Sequence, residues 1–235
     1  MKKRSSLIIS FVIIVGNIVS LFFSGSEYSL GFGFSMLSTD VIFACGIILA
    51  TVCSIGIRTK YISTEKIPYL IRYGGRKKAV IVELGIVGLY SFLFSFLQFA
   101  TILLYNLFVN NENVFSEIII SFISTFFVIY FVLTAQMLLE LFVKKDLSSL
   151  IMSLISVTMI TVGSGVQDMI EKGVSKDLEA RLRFINQFDV FNYMSAYRMN
   201  KIGIDSRIAV LFPIILCVAS SILLIMSVQK YDIKE

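Results

Sequence analysis

The feature that most constrains this chain is a series of long, continuously apolar runs. A helix that crosses a bilayer needs about 20 mostly apolar residues, and six runs of that order follow one another along the sequence. They cover residues 6–23, 39–57, 79–109, 117–143, 147–166 and 208–228. Their apolar residues are consecutive and do not alternate with polar ones, which favours helices over a membrane β-barrel. The sequence therefore predicts an all-α polytopic membrane protein, with residues 1–235 forming one transmembrane domain of six spans.

The composition agrees with a lipid-embedded fold. Hydrophobic residues make up 57% of the chain and charged residues 16%, whereas soluble domains average roughly 45–50% and 25%. A soluble fold of 235 residues could not bury so much apolar surface, so the excess must face lipid. No small-residue cleavage site precedes Ser24, and we therefore expect the first run to be a retained helix and not a cleaved signal peptide.

Missing residue types and motifs exclude several kinds of site. The chain has no histidine, which excludes histidine-dependent zinc sites, Ser-His-Asp triads and histidine proton relays. Its three cysteines, Cys45, Cys53 and Cys217, lie in apolar runs without metal-ligand spacing, so we predict no metal site. No P-loop motif is present, and Ser164, between two glycines, has no neighbouring base. We therefore predict a chain without catalytic residues.

Lysine and arginine residues predict the orientation of the spans. Fourteen of the 21 lie in four segments that alternating spans put on one side: 1–5, 58–78, 144–146 and 229–235. The remaining seven lie in 167–207, where six acidic residues nearly balance them. This distribution predicts cytoplasmic termini and an external 167–207. It also explains the net charge of +5 without a nucleic-acid partner, because the basic residues cluster beside the spans.

The connection 58–78 is predicted to contain a short cytoplasmic helix. Thr64 is a suitable N-cap, and two glycines at 74–75 provide a stop. Ile67, Leu70 and Ile71 have the spacing of one apolar stripe. Such a helix can dock into a groove of a partner protein. Alternatively, it can lie on anionic lipid, held by its basic residues.

The connection 167–207 is too long and too patterned for a simple loop. Asp168 with Glu171 resembles a capped helix start. Apolar residues continue at helical spacing, and the stripe contains Leu178, Leu182, Ile185, Phe188, Phe191 and Met194. We expect this stripe to be buried against the spans or against the membrane surface. The segment is predicted to be an ordered extracellular helical insert, either contacting the substrate or acting as a lid without direct ligand contact.

A few polar residues fall within the predicted spans. Glu83 and Glu140 lie near cytoplasmic ends, where snorkelling or pairing with adjacent lysines is expected before any transport chemistry. The uncharged polar residues deeper in the spans are Asn17, Gln98 and Gln136. Between helices such residues usually form packing hydrogen bonds. We retain Asn17, Gln98, Gln136 and Glu140 as possible pathway or interhelical residues.

The residues around 69–78, Tyr-Leu-Ile-Arg-Tyr-Gly-Gly-Arg-Lys-Lys, are similar to an Arg-Tyr-Gly-x-Arg-Lys-Lys stretch in small permeases of Gram-positive peptide and bacteriocin export and immunity systems. Six spans, internal termini and inserts at 58–78 and 167–207 also resemble the architecture of ABC-2-type exporter permeases. The resemblance implies a bacterial cell-membrane permease that pairs with a second permease subunit, the same chain or a paralogue. It also implies a cytosolic ABC ATPase that holds ATP and Mg²⁺, so this chain needs no cofactor of its own.

In that family, the cytoplasmic helix after the second span is the coupling helix that contacts the ATPase. Carried over to this sequence, the contact residues are Ile67, Tyr69, Leu70, Ile71, Arg72 and Tyr73, flanked by Arg76 and Lys77. The leading hypothesis is therefore ATP-driven export of a hydrophobic or amphipathic peptide from the cell or the membrane. The alternative is a stand-alone immunity or scaffold protein that sequesters a membrane-active peptide without transport.

Overall fold

A computed structural model describes Phe11, Val15 and residues 75–105, 115–194, 199–200 and 202–230. Within these residues every regular element is helical. The α-helices are α1 (Arg76–Tyr105), α2 (Phe115–Glu140), α3 (Lys145–Glu171), α4 (Lys176–Asn186) and α5 (Ser206–Lys230). A 3-10 helix spans Val190–Met194. The predicted spans 6–23 and 39–57, apart from Phe11 and Val15, and the connection 58–74 lie outside the described residues.

Four of the predicted spans are confirmed as helices long and apolar enough to cross a membrane. Their apolar stretches are Lys77–Leu97, Ile119–Glu140, Leu147–Glu171 and Ser206–Val228. The chain is therefore a membrane-embedded helical protein. The hydrocarbon layer offers no hydrogen-bond partners to the backbone. A long apolar stretch therefore crosses it as a helix, in which every backbone hydrogen bond is made within the segment.

Two helix boundaries are set by glycines in left-handed conformations. Gly75 has φ 125°, and its carbonyl oxygen accepts the Ala79 amide at 3.1 Å at the start of α1. Gly173 has φ 85°, and its amide donates to the Ile170 carbonyl at 3.2 Å at the end of α3. Residues with a Cβ rarely adopt such angles, so both positions favour glycine.

The structure corrects the predicted start of the external insert. Asp168 and Glu171 do not cap a new helix; they lie in the last turn of α3. The hydropathy of the sequence falls at Gln167. The Gln167 side chain is nevertheless only 3% exposed, and α3 continues as far as Glu171. The next helix begins at Lys176 after a short exposed turn.

Helix α2 is the centre of the bundle. Half of its apolar window, 50%, is buried, against 24% for that of α3. It runs antiparallel to α1, since Phe99 contacts Phe122 at 5.0 Å and Phe92 contacts Phe126 at 6.5 Å between ring centroids. Aromatic rings in these tilted and edge-on arrangements contribute about 0.5–1.5 kcal/mol per pair.

Helices α2 and α5 run parallel. The Ser124 hydroxyl donates to the Ala209 carbonyl at 2.9 Å, and further along both helices the Thr134 and Ser220 hydroxyls lie 2.9 Å apart. A four-residue turn, 141–144, makes α3 antiparallel to α2. We call the end of the bundle with Lys77 and Lys144 the basic end, and the opposite end the distal end.

The segment after α3 returns into the bundle. Helix α4 contacts α3, and the 3-10 helix packs among α2, α3 and α5. All five residues of the 3-10 helix are buried. Its last carbonyl, that of Met194, accepts the Thr125 hydroxyl of α2 at 3.2 Å. Residues 176–194 are therefore a packed part of the helix bundle.

Candidate functional site

A cluster of buried polar side chains joins α3 to the segment after α4. We call it the distal polar cluster and define it as Gly163, Asn186, Asp189 and Asn192. The three side chains have exposures of 3%, 7% and 0%, in chain order. Burying polar groups costs free energy unless they are hydrogen-bonded, so a cluster of this kind demands a specific geometry.

The amides of the cluster bond mainly to one another. Asn192 Nδ2 donates to the Asn186 backbone carbonyl at 2.8 Å and to Asn186 Oδ1 at 2.9 Å. Asn186 Nδ2 in turn reaches the Gly163 carbonyl at 3.4 Å. The chain of amides therefore ties the 3-10 helix to the end of α4, and both to the middle of α3.

Asp189 begins the 3-10 helix and faces α3. Its Oδ1 accepts the Phe191 amide at 3.0 Å, which is the bond made by an N-cap carboxylate. Its Oδ2 lies so close to the Gly163 α-carbon that a Cβ at this position would overlap the carboxylate. Asn186 Oδ1 and Asn192 Oδ1 would each lie 3.4 Å from such a Cβ. The Asp189 carboxylate therefore favours glycine at 163, whereas the two asparagine oxygens would be at ordinary contact distance from a Cβ.

Tyr193 anchors the same segment on its other side. Its ring is tilted against Phe212 of α5 at 5.1 Å, and its hydroxyl donates to the Gln187 carbonyl at 2.8 Å. The ring therefore packs this segment against α5, and the hydroxyl bonds it to the turn that follows α4.

A second buried polar cluster lies near the basic end. Gln136 and Glu140 are brought together, with Gln136 Nε2 3.3 Å from Glu140 Oε1. Ser148 of α3 donates to the Gln136 carbonyl at 3.3 Å. The antiparallel register, in which Gly88 lies beside the Tyr130 ring, puts Glu83 at about the level of Gln136. We call the three bonded residues Gln136, Glu140 and Ser148 the basal polar cluster.

The expectation that the two glutamates snorkel to the interface is not what the structure shows. Glu83 is 3% exposed and Glu140 is 9% exposed, so both side chains are largely buried between helices. The expectation that Gln136 is a pathway or interhelical residue stays a prediction. Its side chain bonds along its own helix to Glu140, and it is the Gln136 backbone carbonyl that connects to α3.

The other predicted site residues are placed as follows. Lys77 is exposed in the first turn of α1, which Arg76 begins. Gln98 lies within α1, but its side chain is outside the described part. The remaining predicted residues lie outside the described residues: Asn17, Ile67, Tyr69, Leu70, Ile71, Arg72 and Tyr73.

The sequence reasoning did not find the distal polar cluster. It described the segment 178–194 by its apolar stripe alone and considered only Ser164, the neighbour of residue 163, as a possible nucleophile. The available signal was the spacing Asn-x-x-Asp-x-x-Asn at 186–192, three polar residues three positions apart. On a helical path such spacing gives one polar face, and only the tertiary fold shows that this face is buried.

The hydrogen bonds of the distal polar cluster hold parts of the chain together. Among the residues that the structure describes, no group of three or more histidine, cysteine or acidic side chains is arranged to hold a metal ion. The distal cluster offers one carboxylate and two amides, which hold backbone groups in place. Comparison with known proteins adds no candidate, because no family model, curated protein or solved structure matches this chain.

Proposed function

We propose that this chain is the transmembrane permease subunit of an ATP-driven exporter of the ABC-2 type. Its cargo is a hydrophobic or amphipathic peptide of the bacteriocin class, moved out of the cell or its membrane. The chain pairs with a second permease subunit in the bacterial cell membrane, with both termini cytoplasmic. A cytosolic ATPase binds and hydrolyses Mg-ATP, since this sequence has no P-loop.

One observation carries the proposal: the basic segment runs directly into a membrane helix. Gly75 receives the first hydrogen bond of α1, and Lys77 and Lys78 are exposed in its first turn. In this proposal, a force applied to the predicted helix 65–73 acts on the end of α1. Helix α1 is packed along α2 by aromatic contacts, so the two helices respond together.

In this proposal, the movement of α1 and α2 opens the distal end of the bundle, where the 3-10 helix lies. The 3-10 helix lies among α2, α3 and α5 and is held by the distal polar cluster. In the proposed cycle, ATP binding pulls the ATPases together and moves the predicted helix 65–73, which would act as a two-state lever. Rotation of α1 and α2 then loosens the contact between Thr125 and Met194 and gives the peptide an exit.

The test is reconstitution with an ABC ATPase encoded beside this chain. Leu70→Ala, Arg72→Ala and Tyr73→Ala should each weaken co-purification with the ATPase and reduce peptide-stimulated ATP hydrolysis. Lys144→Ala is the matched control, because Lys144 is an exposed basic residue at the same end of the bundle. Unchanged association and unchanged stimulation in all three variants would refute the coupling role. Full protection against the peptide without any ATPase would instead favour the sequestering immunity protein.

A further inference from the structure

Helix α5 carries a proline on the face that packs into the bundle. Pro213 lies inside the helix and is buried. Because a proline has no amide hydrogen, it removes the hydrogen bond that residue 213 would donate to the carbonyl four positions earlier. That carbonyl belongs to Ala209, which is 1% exposed. A buried carbonyl without a donor is costly, so the Ala209 carbonyl needs a donor from outside its own helix.

The donor comes from the neighbouring helix α2. The Ser124 hydroxyl donates to the Ala209 carbonyl oxygen at 2.9 Å, and Ser124 is 0% exposed, so the bond is shielded from solvent. A serine or threonine within a helix can bond to a carbonyl three or four positions earlier in the same helix, as Thr134 does. The Ser124 hydroxyl instead bonds across to α5, at the carbonyl that Pro213 leaves without its helical donor.

The two parts of α5 on either side of Pro213 have different neighbours. Before the proline, the Phe212 ring lies against the Tyr193 ring of the 3-10 helix, with 5.1 Å between their centroids. After the proline, Cys217 Sγ donates to the Phe127 carbonyl of α2 at 2.8 Å. One backbone hydrogen bond is missing between these two parts, and a proline is a usual site of bending in a helix. The helix is therefore weakest where its neighbours change.

We propose that α5 contains a hinge at Pro213 and that the Ser124 hydroxyl is the latch that holds this hinge in the observed conformation. When the latch bond is made, residues 206–212 are held on α2. When it is broken, they bend about Pro213 together with the 3-10 helix that they contact. The hydroxyl of Thr125, next to Ser124, donates to the Met194 carbonyl of that 3-10 helix at 3.2 Å, so adjacent residues of α2 hold both parts of the moving unit. The inference does not depend on the proposed transport function.

The test is a double substitution in the full-length chain, read out by amide hydrogen exchange in detergent. Ser124→Ala removes the donor, and Pro213→Ala restores an amide that can bond to the Ala209 carbonyl within α5. Alanine has a much higher helix propensity than proline, so the second substitution favours the folded helix. The amides of residues 209–217 report on the hinge, and those of residues 221–228 in the same helix are the internal reference.

In Ser124→Ala we expect the amides of residues 209–217 to exchange about fivefold faster or more, since one lost hydrogen bond shifts a local opening equilibrium by roughly that factor. The amides of residues 221–228 should keep their original rate. When Ser124→Ala is combined with Pro213→Ala, exchange at 209–217 should equal that of Pro213→Ala alone, because the helix then supplies its own donor.

Ser220→Ala is the matched control. The Ser220 hydroxyl also joins α5 to α2, but its partner there is the Thr134 hydroxyl and not a carbonyl freed by a proline. Its effect should therefore be the same with proline or alanine at residue 213. An effect of Ser124→Ala that persists in full beside Pro213→Ala would overturn the proposal. Unchanged exchange at 209–217 in Ser124→Ala, or an equal rise throughout α5, would overturn it as well, because the bond would then be an ordinary packing contact.

Discussion

The carboxylate of Asp189 lies directly against the α-carbon of Gly163, where a side chain of any size would overlap it. The two residues belong to different parts of the chain, one to a membrane helix and the other to the segment predicted to be external. Their contact brings the end of α4 and the 3-10 helix into the bundle, and it leads to predictions about what holds this segment in place.

Replacing Gly163 with alanine should destabilise the protein. The new methyl group has to displace the Asp189 carboxylate in a packed polar site, and overpacking of this kind costs about 1–3 kcal/mol. Gly165→Ala is the matched control, because the same helix leaves residue 165 exposed, with no heavy atom within 4 Å of its Cβ position. Thermal unfolding in detergent should show a lower midpoint for Gly163→Ala alone. Equal midpoints for the two variants would contradict the observed packing.

Asp189 should tolerate asparagine better than alanine. Asparagine retains the oxygen that accepts the Phe191 amide, whereas alanine removes this cap at a cost of about 0.5–2 kcal/mol. Urea titration in detergent measures the difference in the free energy of unfolding. If Asp189→Asn is as unstable as Asp189→Ala, the negative charge matters more than the cap, and the capping role assigned to Asp189 is wrong.

The hydroxyls of Thr134 and Ser220 should be energetically coupled. They join the parallel helices α2 and α5 at 2.9 Å, and hydrogen bonds between membrane helices contribute about 0.6 kcal/mol on average. A double-mutant cycle with Thr134→Val and Ser220→Ala should give a coupling energy of that order. The control cycle pairs Thr134→Val with Ser156→Ala, because the Ser156 hydroxyl bonds to the Met152 carbonyl within its own helix. Similar coupling in both cycles would argue against a direct bond.

Gly75 should be intolerant of alanine in a way that Gly85 is not. Its φ of 125° is unfavourable for any residue with a Cβ, and left-handed conformations cost L-residues about 1–2 kcal/mol. Gly85 is exposed within α1 with free space at its Cβ position, where alanine improves helix propensity by up to about 1 kcal/mol.

The comparison uses unfolding midpoints of both variants. If the exporter proposal holds, Gly75→Ala should also reduce peptide-stimulated ATP hydrolysis more than it reduces ATPase binding, because it alters the joint between the coupling segment and α1. An unchanged midpoint and unchanged hydrolysis in Gly75→Ala would show that this joint has no special geometry.

The sequence predicted the class of protein and four membrane helices because both depend on local properties. An apolar window such as that of α5 is recognised from its own residues, and its hydrogen bonds are satisfied within the same helix. The two glycines at 74–75 were predicted to end the cytoplasmic helix, which lies outside the described residues, and that prediction stands untested; the structure shows Gly75 with a positive φ at the start of α1.

The sequence could not predict which side of each helix meets a neighbour. Glu83 and Glu140 were expected near water because a lysine lies within five residues of each, but both side chains are buried within the helix bundle. For the segment 178–194, periodicity predicted an apolar stripe that includes Ile185 and Phe188 and leaves out Asn186 and Asp189. It did not indicate that the polar residues would face inward.

By itself, the sequence determined that this chain is a membrane protein and where four of its helices lie. Both follow from the length of the apolar runs, which is a local property of the sequence and has to match the thickness of the bilayer. Only the tertiary structure decided that the segment after α3 packs back into the bundle and contacts Gly163. That outcome depends on a glycine, an aspartate and two asparagines from separate elements meeting at one point, and each of these residues seen alone is compatible with an ordinary surface loop.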